Sequence, residues 1–257
     1  MAARAIWKGV LRLGGESVPV RLYSAVEDRK VHFHLLHERD GARVRQRLVH
    51  PETGKEVPRD EIRRGVEVGP GRIVILDEEE LEELEPQASR DIEVLRVVPR
   101  ETIPHQWYDR PYWLGPDGDE QGYWALCSAL GEGSRDGVAR WVMRRRDYRG
   151  ALRVVDGFLS LVSLRAAEEV VEADRLEPPS GRELTPQERR MAQELVDALA
   201  GPFEPGELRD DYRERVLELV RIKAEGGKVE RRTVEKKTAE GSLTEALEAS
   251  LAEAAGG

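Results

Sequence analysis

Through most of the first 165 residues, apolar positions recur at every second place in short runs, the spacing of half-buried β-strands. Ile6, Val10, Leu11 and Leu13 precede a Gly14-Gly15 turn; Val18 to Tyr23 follows, and then Val31 to Leu36. Gly41-Ala42 reads as a turn opening a strand from Arg43 to Val49, which would set Arg43, Arg45 and Arg47 on one face and Val44, Gln46 and Leu48 on the other. Arg72 to Leu76 is a further short strand. It runs into Asp77-Glu78-Glu79-Glu80, an Asp cap with Glu three places on, which predicts a short helix ending before Pro86. Asp91 to Val98 is another strand, followed by a stretch rich in proline and aromatics (Pro104, Trp107, Tyr108, Pro111, Tyr112, Trp113). Residues 119–130 have helical spacing, with Tyr123, Leu126, Cys127 and Leu130 on one side. A three-stranded meander, 138–144, 148–155 and 158–164, closes the region, its last two strands joined at Asp156-Gly157. Many short strands with two small helices predict a mostly β fold, a barrel.

After about residue 175 the period changes. Pro178-Pro179-Ser180-Gly181 reads as a linker. Thr185-Pro186-Gln187-Glu188 is a capping box with proline at the first helical position, opening a helix through Met191, Leu195 and Leu199. A second helix, about 207–225, carries Leu208, Tyr212, Val216, Leu219 and Val220 and stops at Gly226-Gly227. Two helices with narrow apolar stripes and no third to pack on form an arm that lies on the barrel or on a partner chain. Residues 228–241 are polar and unpatterned, a flexible linker. Ser242-Leu243-Thr244-Glu245 is a further capping box, and Leu243, Leu247 and Leu251 give residues 242–257 the character of an amphipathic docking helix for another protein, the alternative being a fraying tail.

Charge alters this picture only when read locally. The 257 residues carry 41 Lys+Arg against 50 Asp+Glu, a formal charge of −9, which taken whole argues against a polyanionic partner. No apolar run is long enough to span a membrane, the first residues lack the apolar core of a signal peptide, and Cys127 stands alone; a cytoplasmic protein is expected. The charges, however, are segregated. Residues 77–85 hold seven acids and no base, whereas 135–153 hold seven arginines against Asp136 and Asp147. Arg63-Arg64 adds to the row at Arg43, Arg45 and Arg47, and rows of guanidinium groups suit rows of phosphates.

Catalytic chemistry is not indicated. His32 and His34 would share a strand face but His37 would not, and no cysteine pair or acidic triad joins them to make a metal site. His105 offers Cys127 a partner in principle, but Cys127 lies on the apolar side of its helix, where burial would leave it inert. His50 to Glu56 has a phosphate-loop look but lacks the first glycine, and Gly54-Lys55 is followed by Glu56 rather than Ser or Thr. No nucleophile is matched with a base, so no enzyme, cofactor or metal is expected.

Taken in order, several segments resemble the prokaryotic Ku family. They are Ile6-Trp7-Lys8-Gly9, Val18 to Ala25, His32 to His37, Gly41 to Arg45, Gly54 to Pro58 and Arg90 to Val94. The likeness continues through Tyr112 to Pro116, Ala139 to Val142, Asp210 to Glu214, Lys223 to Gly226 and the Leu/Ala-rich stretch Leu243 to Leu251. The resemblance implies a non-catalytic, metal-free protein of non-homologous end joining. Two copies would form a homodimeric ring of β-barrels, bridge segments and helical arms, through which a double-stranded DNA end threads without base reading. A multifunctional DNA ligase would be the other partner, and the protein would be nucleoid-associated in the cytoplasm. On this reading residues 1–176 are the barrel and bridge core, 177–227 the arm, 228–241 the linker and 242–257 the ligase-docking helix. Arg43, Arg45, Arg47, Arg63 and Arg64 at the bridge, with Arg140, Arg144, Arg145, Arg146 and Arg149 on the meander, would line the ring. Many members of the family end in a lysine-rich tail; here residues 228–257 hold five bases against six acids, so little tail contribution to DNA binding is expected. The reading from another class is a β-barrel scaffold for protein interactions, its arginines serving only as solvated surface.

Overall fold

The computed structural model describes residues 4–177 and 181–226. The chain divides into two compact units, Met1–Asp28 with His34–Arg175, and Arg29–Phe33 with Leu176–Gly257.

The first unit is built on a closed seven-stranded barrel. Its strands are β1 (Trp7–Leu13), β2 (Glu16–Ser24), β5 (Asp91–Pro99), β6 (Tyr108–Pro116), β7 (Arg135–Met143), β8 (Arg146–Val155) and β9 (Phe158–Leu164). Around the barrel they run β1-β2-β6-β9-β8-β7-β5. Every neighbouring pair is antiparallel except β1 with β5, whose parallel register closes the barrel. Closure leaves no exposed barrel edge. Alternation places Val18, Val20 and Leu22 of β2 inward, to join Leu11, Ile92, Leu114, Trp141, Leu152, Leu159 and Leu161 in one core.

Helix α2 (Glu120–Glu132) packs its apolar side, Tyr123, Leu126, Cys127 and Leu130, into that core. Asp119 caps it by accepting from the Gly122 N–H at 2.9 Å. The Tyr123 hydroxyl donates to the Leu114 carbonyl at 2.6 Å and accepts from the Leu159 N–H at 2.9 Å, tying helix, β6 and β9 together. Burial pushes this phenol up to about 12 and raises the Cys127 thiol, chiefly by desolvation, which leaves it an unreactive packing residue.

The stretch between β2 and β5 differs from the sequence expectation. Neither 31–36 nor 43–49 is a laddered strand. Among the described residues, these segments form isolated β-bridges, Leu36 to Arg43 and Val49 to Glu56, and no ladder. Two hairpin-like loops result, held by Val44 N–H to Leu35 O (3.1 Å) and Val57 N–H to Leu48 O (2.9 Å). The period-two pattern is present, but nothing in the unit covers either face; Leu35, Leu36, Val44, Leu48 and Val49 are all exposed.

Beyond them β3 (Arg64–Gly69), which the sequence reading lacks, pairs with β4 (Arg72–Leu76) around Pro70-Gly71 as a separate two-stranded ribbon. Val66, Val68 and Val74 project from one face and Ile73 and Ile75 from the other, all exposed. The predicted short helix follows as α1 (Glu78–Glu83), where the Asp77 N–H donates to Glu80 Oε2 at 2.9 Å.

In the second unit, α3 (Pro186–Ala198) starts at the expected box: the Glu188 N–H donates to Thr185 Oγ1 at 3.3 Å, and the Thr185 N–H donates to Glu188 Oε2 at 2.8 Å. Helix α4 (Asp211–Ala224) begins four residues later than the periodicity suggests. Pro205–Glu207 forms a single 3₁₀ turn, and Asp210 supplies the cap by accepting from the Arg213 N–H at 2.9 Å. The apolar side chains of this unit are largely exposed, among them Val196, Leu199, Phe203, Leu208, Tyr212 and Val220. The expected linker 228–241 and the docking helix with Leu243, Leu247 and Leu251 lie outside the described residues. Among the described residues no helix is long and apolar enough to cross a membrane.

Candidate nucleic-acid interface

The meander arginines gather on one hairpin. In β7–β8, Met143 pairs with Arg146, so Arg144-Arg145 is the whole connection. The sequence reading places the turn at 145–147, because an Arg-Arg pair carries no turn signal. Both residues have positive φ, 50° and 62°, the two-residue turn form whose twist suits a hairpin. The next connection, Asp156-Gly157, has the same form with φ of 50° and 81°. One barrel thus makes one turn twice. The second is filled by residues that enter the left-handed region readily; the first uses two arginines, for which that region costs about 1–2 kcal/mol each. Strain of this size persists where a side chain is needed at that place.

Below the turn, Arg140 on β7 and Arg149 on β8 are register partners. Asp147 holds both. Its carboxylate lies 3.2 and 2.9 Å from Nε and Nη2 of Arg140, and 3.1 Å from Nη1 of Arg149. Trp141 stacks on Tyr148 beneath them, ring centroids 5.3 Å apart, and gives the strip a rigid floor. Gly150 is required there, since a Cβ would come within 2.6 Å of both the Trp141 ring and the Val162 carbonyl oxygen. Arg145 turns toward the end of α1, with Nη1 3.2 Å from Glu85 Oε1 and 3.8 Å from Glu82 Oε1. Arg144 and Arg146 make no ion pair among the described residues.

Of the other expected residues, Arg43 and Arg45 are exposed and unpaired among the described residues, and Arg47 bonds Glu56 at 2.8 Å across the second loop. The expected row on one strand face is therefore an exposed, irregular segment rather than a ladder. Arg63 is folded back on the Asp60 and Ile62 carbonyls, at 2.6 and 3.2 Å, while Arg64 opens β3 exposed. Sequence reasoning missed the partners, Asp147, Glu56, Glu82 and Glu85, because each pairing depends on register or tertiary approach. Asp147 alone was accessible, had the turn been set at 144–145.

The histidines do not converge. His37 Nδ1 bonds Asp40 at 2.8 Å, and the Ala42 N–H together with His37 holds the Asp40 carboxyl below its usual range. Among the described residues no three His, Cys, Asp or Glu side chains are grouped to hold a metal ion.

Against known proteins, residues 12–192 match the family described as the Ku70/Ku80 beta-barrel domain. The chain belongs to the Ku family. This Ku-family chain is 40% identical over 255 residues to "Non-homologous end joining protein Ku" of Anaeromyxobacter sp. (strain K), covering 98% of this chain and 86% of that one. It is 36% identical to "Non-homologous end joining protein Ku 2" of Geotalea uraniireducens over 98% of each chain. To the "Non-homologous end joining protein Ku" of Archaeoglobus fulgidus it is 34% identical over 96% of this chain and 98% of that one. The family match spans barrel strands β2 and β5 to β9 with the end of β1, the β3–β4 ribbon and the first half of α3.

Proposed function

We propose that this chain binds ends of double-stranded DNA without reading sequence, as a non-catalytic homodimeric ring in non-homologous end joining, and recruits a DNA ligase to them. The observation that carries the reading is the pair of exposed arginine surfaces of a Ku-family barrel unit, one at residues 43–64 and one at the β7–β8 hairpin, on a chain that is acidic overall. Guanidinium groups spread over an irregular surface bind phosphate and carry no base information. The unpaired set, Arg43, Arg45, Arg64, Arg144 and Arg146, makes the first contacts. Arg140, Arg149, Arg47 and Arg63 follow by exchanging a carboxylate or a carbonyl for phosphate.

Dimerisation is supported by the β3–β4 ribbon. Two strands with apolar side chains exposed on both faces are marginal alone in water, and a second copy gives them cover. The exposed apolar residues of α3 and α4 suit an arm laid against the same partner. Ligase recruitment is assigned to residues 242–257, with Leu243, Leu247 and Leu251 as anchors.

The test is a gel shift of one duplex in linear form and as a covalently closed circle. Binding to the linear form alone, steeply salt-dependent and lost on Arg43→Glu/Arg45→Glu/Arg47→Glu, is the expected result. Equal binding to both forms would replace the threaded ring by a side-on binder. Binding to neither would leave the protein-interaction scaffold.

A further inference from the structure

The hairpin tip is asymmetric in a way that the arginine count conceals. Arg144 and Arg145 occupy the same turn, yet Arg145 is drawn to Glu85 and Glu82 while Arg144 has no ion-pair partner among the described residues. The two glutamates are poorly placed for helix α1 itself. Glu82 lies in its last turn and Glu85 just beyond, at the end where the helix dipole repels negative charge, and no basic residue in that turn offsets them. They nevertheless flank the recess of about 620 Å³ whose other walls include Trp7, Arg90, Val142 and both tip arginines. Acids that work against their own helix while facing a strained arginine are explained by that arginine.

We infer that Glu85, assisted by Glu82, is a positioning residue that withholds Arg145 from nucleic acid, so that of the two turn arginines Arg144 alone meets phosphate. This deepens the duplex-binding reading and rests on it. The pair sets how strongly the hairpin grips. With Arg145 committed to α1, the tip gives up one phosphate contact, and the bound protein keeps a weaker, more easily shifted hold on a backbone that it does not read.

The experiment measures affinity for a linear duplex across about 50–200 mM salt, with the full chain and four variants. A freed arginine that takes up a phosphate steepens the slope of log K against log salt by about 0.9 per arginine, so affinity falls about a further 3.5-fold over that range. Glu82→Gln/Glu85→Gln is expected to bind several-fold tighter at the low-salt end with that steeper slope. Adding Arg145→Ala to it should return both readouts to wild type. Arg144→Ala should weaken binding and flatten the slope by about the same amount. Glu168→Gln/Glu172→Gln, exposed glutamates of the same unit that stand beside none of the proposed interface arginines, controls for the general field. An equal gain in that control, or no change in Glu82→Gln/Glu85→Gln in a chain that still binds the duplex, overturns the inference. Absence of duplex binding by the wild-type chain would overturn instead the reading on which it rests. Thermal melts of each variant separate lost binding from lost folding.

Discussion

Arg140 and Arg149 stand directly opposite one another on β7 and β8, and the single carboxylate of Asp147 holds both guanidinium groups. Like charges at register partners destabilise a hairpin by about 0.2–1 kcal/mol, and Asp147 offsets this while keeping both side chains extended over the surface. Replacing Asp147 by Asn should therefore separate stability from binding. The variant is expected to lose up to about 1 kcal/mol in denaturant unfolding, while its affinity for a linear duplex rises several-fold with a steeper salt dependence. If affinity falls along with stability, the Arg140–Asp147–Arg149 group is a structural clamp and not part of the interface.

Inside the barrel, the same chemistry has a different consequence. Asp136 has no exposed surface, and its two oxygens are taken by Arg153 Nη2 and, at 3.3 Å, by Arg100 Nε. Arg153 also donates to the Tyr108 hydroxyl and lies over that ring, 4.6 Å from its centroid. Removing the carboxylate would leave two partly exposed arginines without their counter-charge and put an amide in its buried place, a loss of about 1–3 kcal/mol. Asp136→Asn is expected to lower the urea midpoint by that equivalent with little change in slope. A shift under about 1 kcal/mol would show that the pair relaxes into solvent.

These two groups mark what the sequence discloses and what it does not. The barrel was legible because its strands alternate and its turns are punctuated: Gly14-Gly15 and Asp156-Gly157 announce themselves, and the Asp77 and Thr185 caps begin helices where expected. Strand β6 was hidden by Pro104, Pro111 and Pro116, which break the pattern although β6 tolerates two of them in a register that slips between Tyr108 and Pro111. The segment 43–49 misled for the opposite reason: its alternation is real, but a strand also needs a neighbour, and periodicity does not say whether one is present. The arginines were legible as residues and not as contacts. Arg145 and Arg144 are adjacent letters, and only the approach of α1 distinguishes them.

Acid should act on the second unit through Glu188. The Arg182 guanidinium, then the Thr185 N–H and hydroxyl, hold its carboxyl at about 2, against an ordinary 4.5. A lowered value means that the stabilisation is complete above about 4.5 and disappears as pH falls toward 2. Far-ultraviolet circular dichroism followed from pH 5 to pH 2 should show helix loss in wild type over that window. In Glu188→Gln, the helix signal should be lower at pH 5 and flatter below it. Identical titrations would mean that the Arg182–Glu188 pair does not stabilise α3.

Gly150 tests whether the hairpin floor tolerates any adjustment. A methyl group there meets the Trp141 ring, which could turn, and also the Val162 carbonyl oxygen, which is fixed in the barrel ladder. Gly150→Ala is expected to destabilise by about 1–3 kcal/mol, the range for overpacking a filled core. The Tyr148 stack should loosen with it, changing tryptophan fluorescence in the folded state. An unchanged spectrum and melt would mean that β8 shifts as a whole to make room.

Beyond Gly227 the sequence holds five basic residues against six acidic ones. A segment with that balance adds almost no attraction to phosphate, since counterion release scales with the cations that contact the backbone. A chain ended at Gly227 should keep its affinity for a linear duplex within about twofold and keep the slope against salt. It should lose its stimulation of joining by an end-joining ligase, because Leu243, Leu247 and Leu251 go with the deleted residues. The triple change Leu243→Ala/Leu247→Ala/Leu251→Ala should reproduce the second effect alone. A large drop in duplex affinity on truncation would assign the tail to DNA, and unchanged ligation would move the docking site into the barrel or the arm.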